Sequence, residues 1–198
     1  MSKAIPETAR RRATRQKLVD AALIEFGVNG IDATSVEQLC EAAGFSRGAF
    51  YSNFATKDDL CEAVARFMAQ ECIEACREVL SSATPQADIG TMLTRLFDAA
   101  AFGPARHRTM IEIHLRASRE PAMAERLERA RGDQWPLLAE VVDVGARQAG
   151  CRFGIGTQDL LRLCEALYFS PLLSPDGSNL RLMKSVIESL AVLEPSRP

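Results

Sequence analysis

The chain has 198 residues, 47% of them hydrophobic, which is enough for one or two domains with a sizeable core. Its formal net charge is only −2, so a uniformly basic protein is excluded. The long apolar run of a membrane span is missing, and the basic N-terminus lacks the apolar segment of a secretory signal, so neither is expected.

Charge is unevenly spread. Lys3, Arg10, Arg11, Arg12, Arg15 and Lys17 face only Glu7 and Asp20 in the first twenty residues, and the rest of the chain is acidic. Such a basic arm suits a localised contact with a polyanion, the alternative being a solvated tail. The six cysteines follow no C-x-x-C spacing, and neither histidine lies near Cys72 or Cys76. Small buried thiols, reduced in the cytoplasm, are expected rather than a metal site.

In chain order, Pro6 blocks an early helix, and a first helix is predicted over 8–29 with Leu18, Ala21, Ala22, Phe26 and Val28 inward, widened by Leu23 and Ile24. Thr34 or Ser35 caps a second helix whose apolar face is Val36, Leu39, Cys40 and Ala43. Gly44 ends it in a left-handed turn, and Ser46 caps a third helix over 47–53. Two short helices around a glycine turn make a helix-turn-helix pattern. Phe45, Phe50 and Phe54 are expected in the core. Thr56 caps a fourth helix reaching about residue 80, with Leu60, Val64, Phe67, Met68 and Cys72 in one stripe. Five more helices follow at 87–101, 105–118, 121–150, 157–170 and 179–193, the third with a kink expected near Pro136 and the fourth capped by Thr157. The fold class is therefore all-α, with about nine helices.

The stretch Thr34-Ser35, Leu39, Ala42-Ala43-Gly44, Ser46, Gly48, Tyr51, Phe54 and Lys57-Asp58-Asp59-Leu60 resembles, at matching spacing, the signature of tetracycline-repressor-like (TetR) transcription regulators. The resemblance covers about Arg12 to Leu60; Asn53 departs from it, standing where many members carry histidine. It implies a DNA-binding domain over 1–56, and a ligand-binding and dimerisation domain over 57–198 with the fourth helix as strut.

In a helix-turn-helix the second helix enters the major groove by its N-terminal residues. Arg47 is then the candidate reader of guanine, Ala49 of a thymine methyl and Asn53 of adenine, while Gly48 lets the backbone approach closely. Arg10, Arg11 and Arg12 could reach phosphate or the minor groove. By resemblance Tyr51 and Lys57 contact phosphates, as do Thr34, Ser35 and Ser46 unless these three only cap helices.

The second half holds no catalytic constellation: no nucleophile elbow, phosphate loop or metal-spaced cluster is found, and no enzyme is expected. His107 and His114 share a helical face with Met110, as cavity lining or as core. The resemblance implies a small-molecule inducer among helices four to seven, for which Phe67, Met68, Glu71, Phe97, Met110, His114 and Trp135 are candidate walls; no other cofactor is implied. Leu160, Leu163, Leu167, Met183, Val186, Ile187 and Leu190 give the last two helices more apolar surface than a terminal pair needs, and the resemblance makes them a homodimer interface. A sequence-specific DNA-binding regulator, a dimeric repressor released from a palindromic operator by a small molecule, is the leading reading; rivals are a helix-turn-helix dimer governed by a protein partner or by cysteine oxidation, and a helical enzyme or carrier.

Overall fold

The computed structural model describes residues 9–82, 89–100, 103–169 and 178–193. Nine α-helices run through these residues: α1 (Ala9–Asn29), α2 (Val36–Ala43), α3 (Arg47–Asn53), α4 (Lys57–Ser81), α5 (Ile89–Ala100), α6 (Pro104–Arg119), α7 (Pro121–Gln148), α8 (Thr157–Tyr168) and α9 (Ser178–Leu190). A short ribbon, β1 (Cys151–Phe153) and β2 (Ala191–Leu193), pairs antiparallel with Arg152 opposite Val192. The expected last helix thus stops at Leu190, and its final turn is strand instead. No helix among the described residues is long and apolar enough to cross a membrane.

Two compact units divide the chain. The first takes residues up to Phe67 and then Phe102–Leu127, so it is larger than the 1–56 boundary expected from the motif. Leu18, Leu23, Phe26, Ile31, Leu39, Phe50, Phe54, Leu60 and Ile113 form its fully buried interior. Phe45 is only half-buried, and Ile24 and Val28 face solvent, so the inner face of α1 is narrower than its apolar pattern.

Helix α6 joins this unit by unusually close packing on α1. A Cβ at Gly27 would lie 2.1 Å from the Ala105 carbonyl oxygen, so only glycine fits there. The approach is fastened by bonds to helix carbonyls: Thr109 Oγ1 donates to Leu23 O at 2.9 Å, and Arg108 Nε to Gly27 O at 2.8 Å. Thr109 is fully buried, and its one hydroxyl proton is shared between Leu23 O and Ala105 O, which lies at 3.1 Å, so the polar group is satisfied.

The second unit holds Met68–Ala101 and the chain from Glu128 onward. One of its clusters joins Ile73, Cys76 and Leu80 of α4 with Met92 of α5 and Val141 of α7. Another joins Leu160 of α8 with Met183 and Ile187 of α9, with Phe153 and Val142 against them. Arg131 pairs with Glu165 at 2.7 Å. Thr157, expected as the cap of α8, is its first residue: Gly156 is the cap position, and the Thr157 hydroxyl donates to Asp143 at 2.6 Å. Helix α7 continues through Pro136.

Candidate nucleic-acid interface

Local chemistry sets both helices of the motif. Ser35 accepts from the Gln38 amide at 3.1 Å while the Gln38 side chain accepts from the Ser35 amide at 2.7 Å, a complete capping box. Gly44 adopts φ 72°, ψ 35°, where a side chain would be strained, and its amide closes α2 on Cys40 and Glu41. Ser46 then caps α3 by accepting from the Ala49 amide at 3.3 Å.

Helix α3 is consequently two-faced. Phe50 is fully buried, with the Phe54 ring 6.0 Å from its own. On the other side Arg47, Gly48 and Tyr51 are exposed, and Ala49 is half-buried. Arg47 Nη1 pairs with Glu37 Oε1 of α2 at 2.6 Å, with side chains 61% and 56% exposed. The Tyr51 hydroxyl, by hydrogen bonding, and then the Glu37 carboxylate hold the Arg47 guanidinium above its ordinary pKa. Nothing but Ser46 Oγ, at 3.8 Å, lies near a Cβ built on Gly48, so this end of α3 is open.

The far end of α3 is held by α1. Arg11 Nη2 donates to Ser52 O at 3.3 Å and Arg15 Nη1 to Asn53 O at 2.6 Å, two carbonyls left without helical partners at a C-terminus. The Arg15 guanidinium also lies 4.3 Å above the Phe54 ring. The loop before α2 is held from α4, where Lys57 Nζ donates to Ile31 O at 2.8 Å and to Thr34 O at 3.0 Å. Two arginines close the frame: Arg116 bonds Asp32 and Asp58, both at 2.7 Å, and Arg126 bonds Asp59 at 2.6 Å and Glu62 at 3.1 Å. Desolvation pushes the Asp59 carboxyl up, but bonds from the Thr56 amide and hydroxyl and the Arg126 charge outweigh it, leaving its pKa low.

Several expected contact residues therefore have different work in this structure. Thr34 is fully buried and its hydroxyl donates to Gly30 O at 2.7 Å, so it closes the turn and offers nothing to phosphate. Lys57 gives two of its three ammonium N–H groups to the loop carbonyls of Ile31 and Thr34. Asn53 turns its amide nitrogen to Ala49 O at 2.7 Å, and its Oδ1 is buried without a partner, so its two amide groups are not presented together to an adenine edge. Ser35 and Ser46 act as caps. Arg10 and Arg12 are exposed on the first turn of α1. What sequence reasoning missed, Glu37 on Arg47 and the arginine bonds to α3, involves partners on other helices.

The candidate ligand residues divide. Phe67, Met110 and His114 belong to the first unit, and Met68, Glu71 and Trp135 to the second; the Phe97 side chain lies outside the described residues. His114 Nδ1 donates to Met110 O at 2.7 Å. The Arg131 guanidinium lies 5.5 Å from the Trp135 ring. A groove of about 490 Å³ in the first unit, lined by Arg12, Arg15, Val19, Phe54, Glu62 and Phe67 among others, takes in Phe67 alone of the seven. No group of three or more metal-binding side chains occurs among the described residues. Burial pushes the Cys61 thiol up to about 12 and the Cys164 thiol to about 11, so both stay protonated at neutral pH. A hydrogen bond with Cys76 lowers the Cys72 thiol and raises that of Cys76.

Of the expected dimer residues, Leu160, Met183 and Ile187 pack inside the chain's own α8–α9 core, being 2%, 5% and 4% exposed. Leu163, Leu167, Val186 and Leu190 are half-buried. The periodicity that marked all seven as apolar-facing does not distinguish a partner chain from the neighbouring helix.

A capped helix, a left-handed glycine, and a second capped helix with one buried and one open face define a helix-turn-helix domain. The sequence pattern of "Bacterial regulatory proteins, tetR family" matches residues 18–64, from within α1 to within α4, so over this stretch the chain carries that family's DNA-binding pattern. It is 25% identical over 121 residues to the HTH-type transcriptional regulator BetI of Paraburkholderia phymatum, covering 60% of this chain and 62% of BetI. It is 26% identical over 94 residues to the HTH-type transcriptional repressor KstR2 of Rhodococcus jostii, covering 47% and 46%. The match thus spans less than two thirds of either curated relative. In fold it is similar to the multidrug binding protein EbrR complexed with imidazole, with TM-score 0.64, 19% identity, and coverage of 93% of this chain and 98% of that one.

Proposed function

We propose that the chain is a sequence-specific DNA-binding transcription regulator that acts as a dimer in the cytoplasm and leaves its operator when a small molecule binds. The observation that carries this reading is the open N-terminal end of α3. Arg47, Gly48 and Ala49 stand on it while Phe50 and Phe54 anchor the opposite face. A groove-reading helix needs that division: side chains free to meet base edges, on a backbone fixed from behind. Arg47 reads guanine, Tyr51, Arg10 and Arg12 meet the backbone, and the helix N-terminus adds its amides.

Dimerisation follows from the reading itself, because two half-sites double the contact. The apolar side chains available for it are the half-buried Leu163, Leu167, Val186 and Leu190 and the exposed Leu182, Val192 and Leu193. Regulation is supported by the likeness to the transcriptional regulator BetI and the transcriptional repressor KstR2, and effector control by the likeness to the multidrug binding protein EbrR. Helix α4, one unbroken helix from Lys57 to Ser81, is the element that a ligand against Phe67, Met68 or Glu71 would shift. A tenfold loss of operator affinity then needs about 1.4 kcal/mol of ligand preference for the released state.

The test is titration of the chain onto duplex DNA from its own upstream region, with random duplex as competitor. The reading expects a complex that survives a large excess of competitor. A complex lost in proportion to the competitor contradicts it.

A further inference from the structure

Glu37 stands in the first turn of α2, on the face the proposed function gives to DNA, and reaches α3 to touch Arg47 at 2.6 Å. An acid in a first turn suits the helix dipole. That accounts for the residue type, but not for its contact with the candidate base reader. A carboxylate also repels the phosphates this face must approach. We propose that Glu37 is a specificity-determining residue: it keeps Arg47 neutralised on non-matching DNA and yields it only where a guanine presents two acceptors. The inference rests on the DNA-reading function above.

The competition is between three acceptors. The Glu37 carboxylate and a backbone phosphate are anions of like kind, and with Glu37 in place Arg47 gains little by moving to any phosphate. Guanine O6 and N7 accept two parallel bonds from the guanidinium fork, which a charge contact with one carboxylate oxygen does not match. Five N–H donors lie in the guanidinium plane, so bonds to Glu37 and Tyr51 leave donors for a base. Both partners are more than half exposed, so the pair is weak and screened, and it exchanges readily. An unrestrained Arg47 would instead strengthen binding to every sequence. A built-in competitor that acts against the wrong partners is how specificity is made without a new attractive contact.

The experiment compares wild type with Glu37→Gln, which keeps the shape and the acceptor and removes the charge. The probes are a duplex selected by the wild-type protein from a random pool, and the unselected pool itself. Each is titrated by fluorescence anisotropy over a series of salt concentrations. For Glu37→Gln the expected result is tighter binding to the pool, with a salt slope steeper by about one unit for each freed Arg47. The preference for the selected duplex falls roughly three- to tenfold. The double variant with Arg47→Ala loses the gain on the pool. Equal changes on both probes with an unaltered slope overturn the proposal, as does a gain that persists in the double variant. Loss of a dipole contact alone lowers the melting temperature without moving the preference, and that outcome overturns it too. A wild type with no preference for any duplex overturns the DNA-reading function itself, and this is visible before any variant is made.

Discussion

Among the described residues, the two compact units combine directional bonds and apolar packing in different proportions. In the first, directional bonds to named atoms set the position of each element: Thr109 and Arg108 on α1 carbonyls, Arg11 and Arg15 on α3 carbonyls, Lys57 on the loop before α2, and Arg116 and Arg126 on four carboxylates. In the second, apolar clusters drawn from Ile73, Leu80, Met92, Val141, Leu160, Met183 and Ile187 lie beside the bonds of Arg131 to Glu165 and Thr157 to Asp143. Hydrogen bonds lose strength steeply when bent or stretched, whereas apolar packing tolerates rearrangement at constant volume. Under the proposed function, the first proportion suits a reading head and the second a ligand domain.

The comparison can be broken most forcefully at Gly27. Gly27→Ala drives a methyl into the Ala105 carbonyl, and is expected to cost about 3 kcal/mol or more by thermal melting. Gly48→Ala, with open space around it, should leave the melting temperature unchanged. A tolerated Gly27→Ala would show that α1 and α6 are not locked. Next is Ile187→Asp. A charge placed in the α8–α9 core should cost several kcal/mol and unfold the second unit, whereas Leu193→Asp, at a 73% exposed position, should at most weaken dimerisation in sedimentation. Monomeric but fully stable Ile187→Asp would place that side chain in an interface instead.

A smaller effect is expected at Arg116. Arg116→Ala strips the largely buried Asp58 of its partner, while the 78% exposed Asp32 is taken up by water, and should cost about 1 kcal/mol. Lys57→Ala should lower stability while changing the salt slope of DNA binding by clearly less than the one unit expected of a phosphate contact. A full unit of slope would return Lys57 to the phosphates. The smallest effect is the pH one. The folded-state pKa of Asp59 is depressed, so its contribution is complete above the ordinary carboxylate value and is lost as pH falls through the lowered one. Helix loss by circular dichroism should therefore precede any change in the fluorescence of Trp135, which belongs to the second unit. Coincident transitions would remove the distinction between the units in acid.

What could be read in the sequence was local. The Ser35 cap, Gly44, the Ser46 cap and the buried Phe50 and Phe54 all depend on neighbours within one or two helical turns, and the 47–53 helix is found where its signals place it. The rest depends on distant partners. Thr34 looks like a phosphate ligand until the carbonyl of Gly30 is brought to it, and the bonds of Lys57 to Ile31 and Thr34 are likewise invisible in the sequence. Asn53 looks like a base reader until its amide turns to Ala49. Periodicity marked Ile187 as apolar-facing but could not say against what, and the three-residue strands β1 and β2 are too short to alternate visibly.

The central claim is that the open end of α3 reads bases through Arg47. Selection from a random duplex pool, run in parallel with wild type and Arg47→Ala and followed by sequencing, tests it directly. Wild type should enrich a two-fold symmetric site with one guanine fixed in each half, and Arg47→Ala should lose the preference at that position alone, by roughly tenfold to a hundredfold. Identical enriched sites for the two proteins would contradict it.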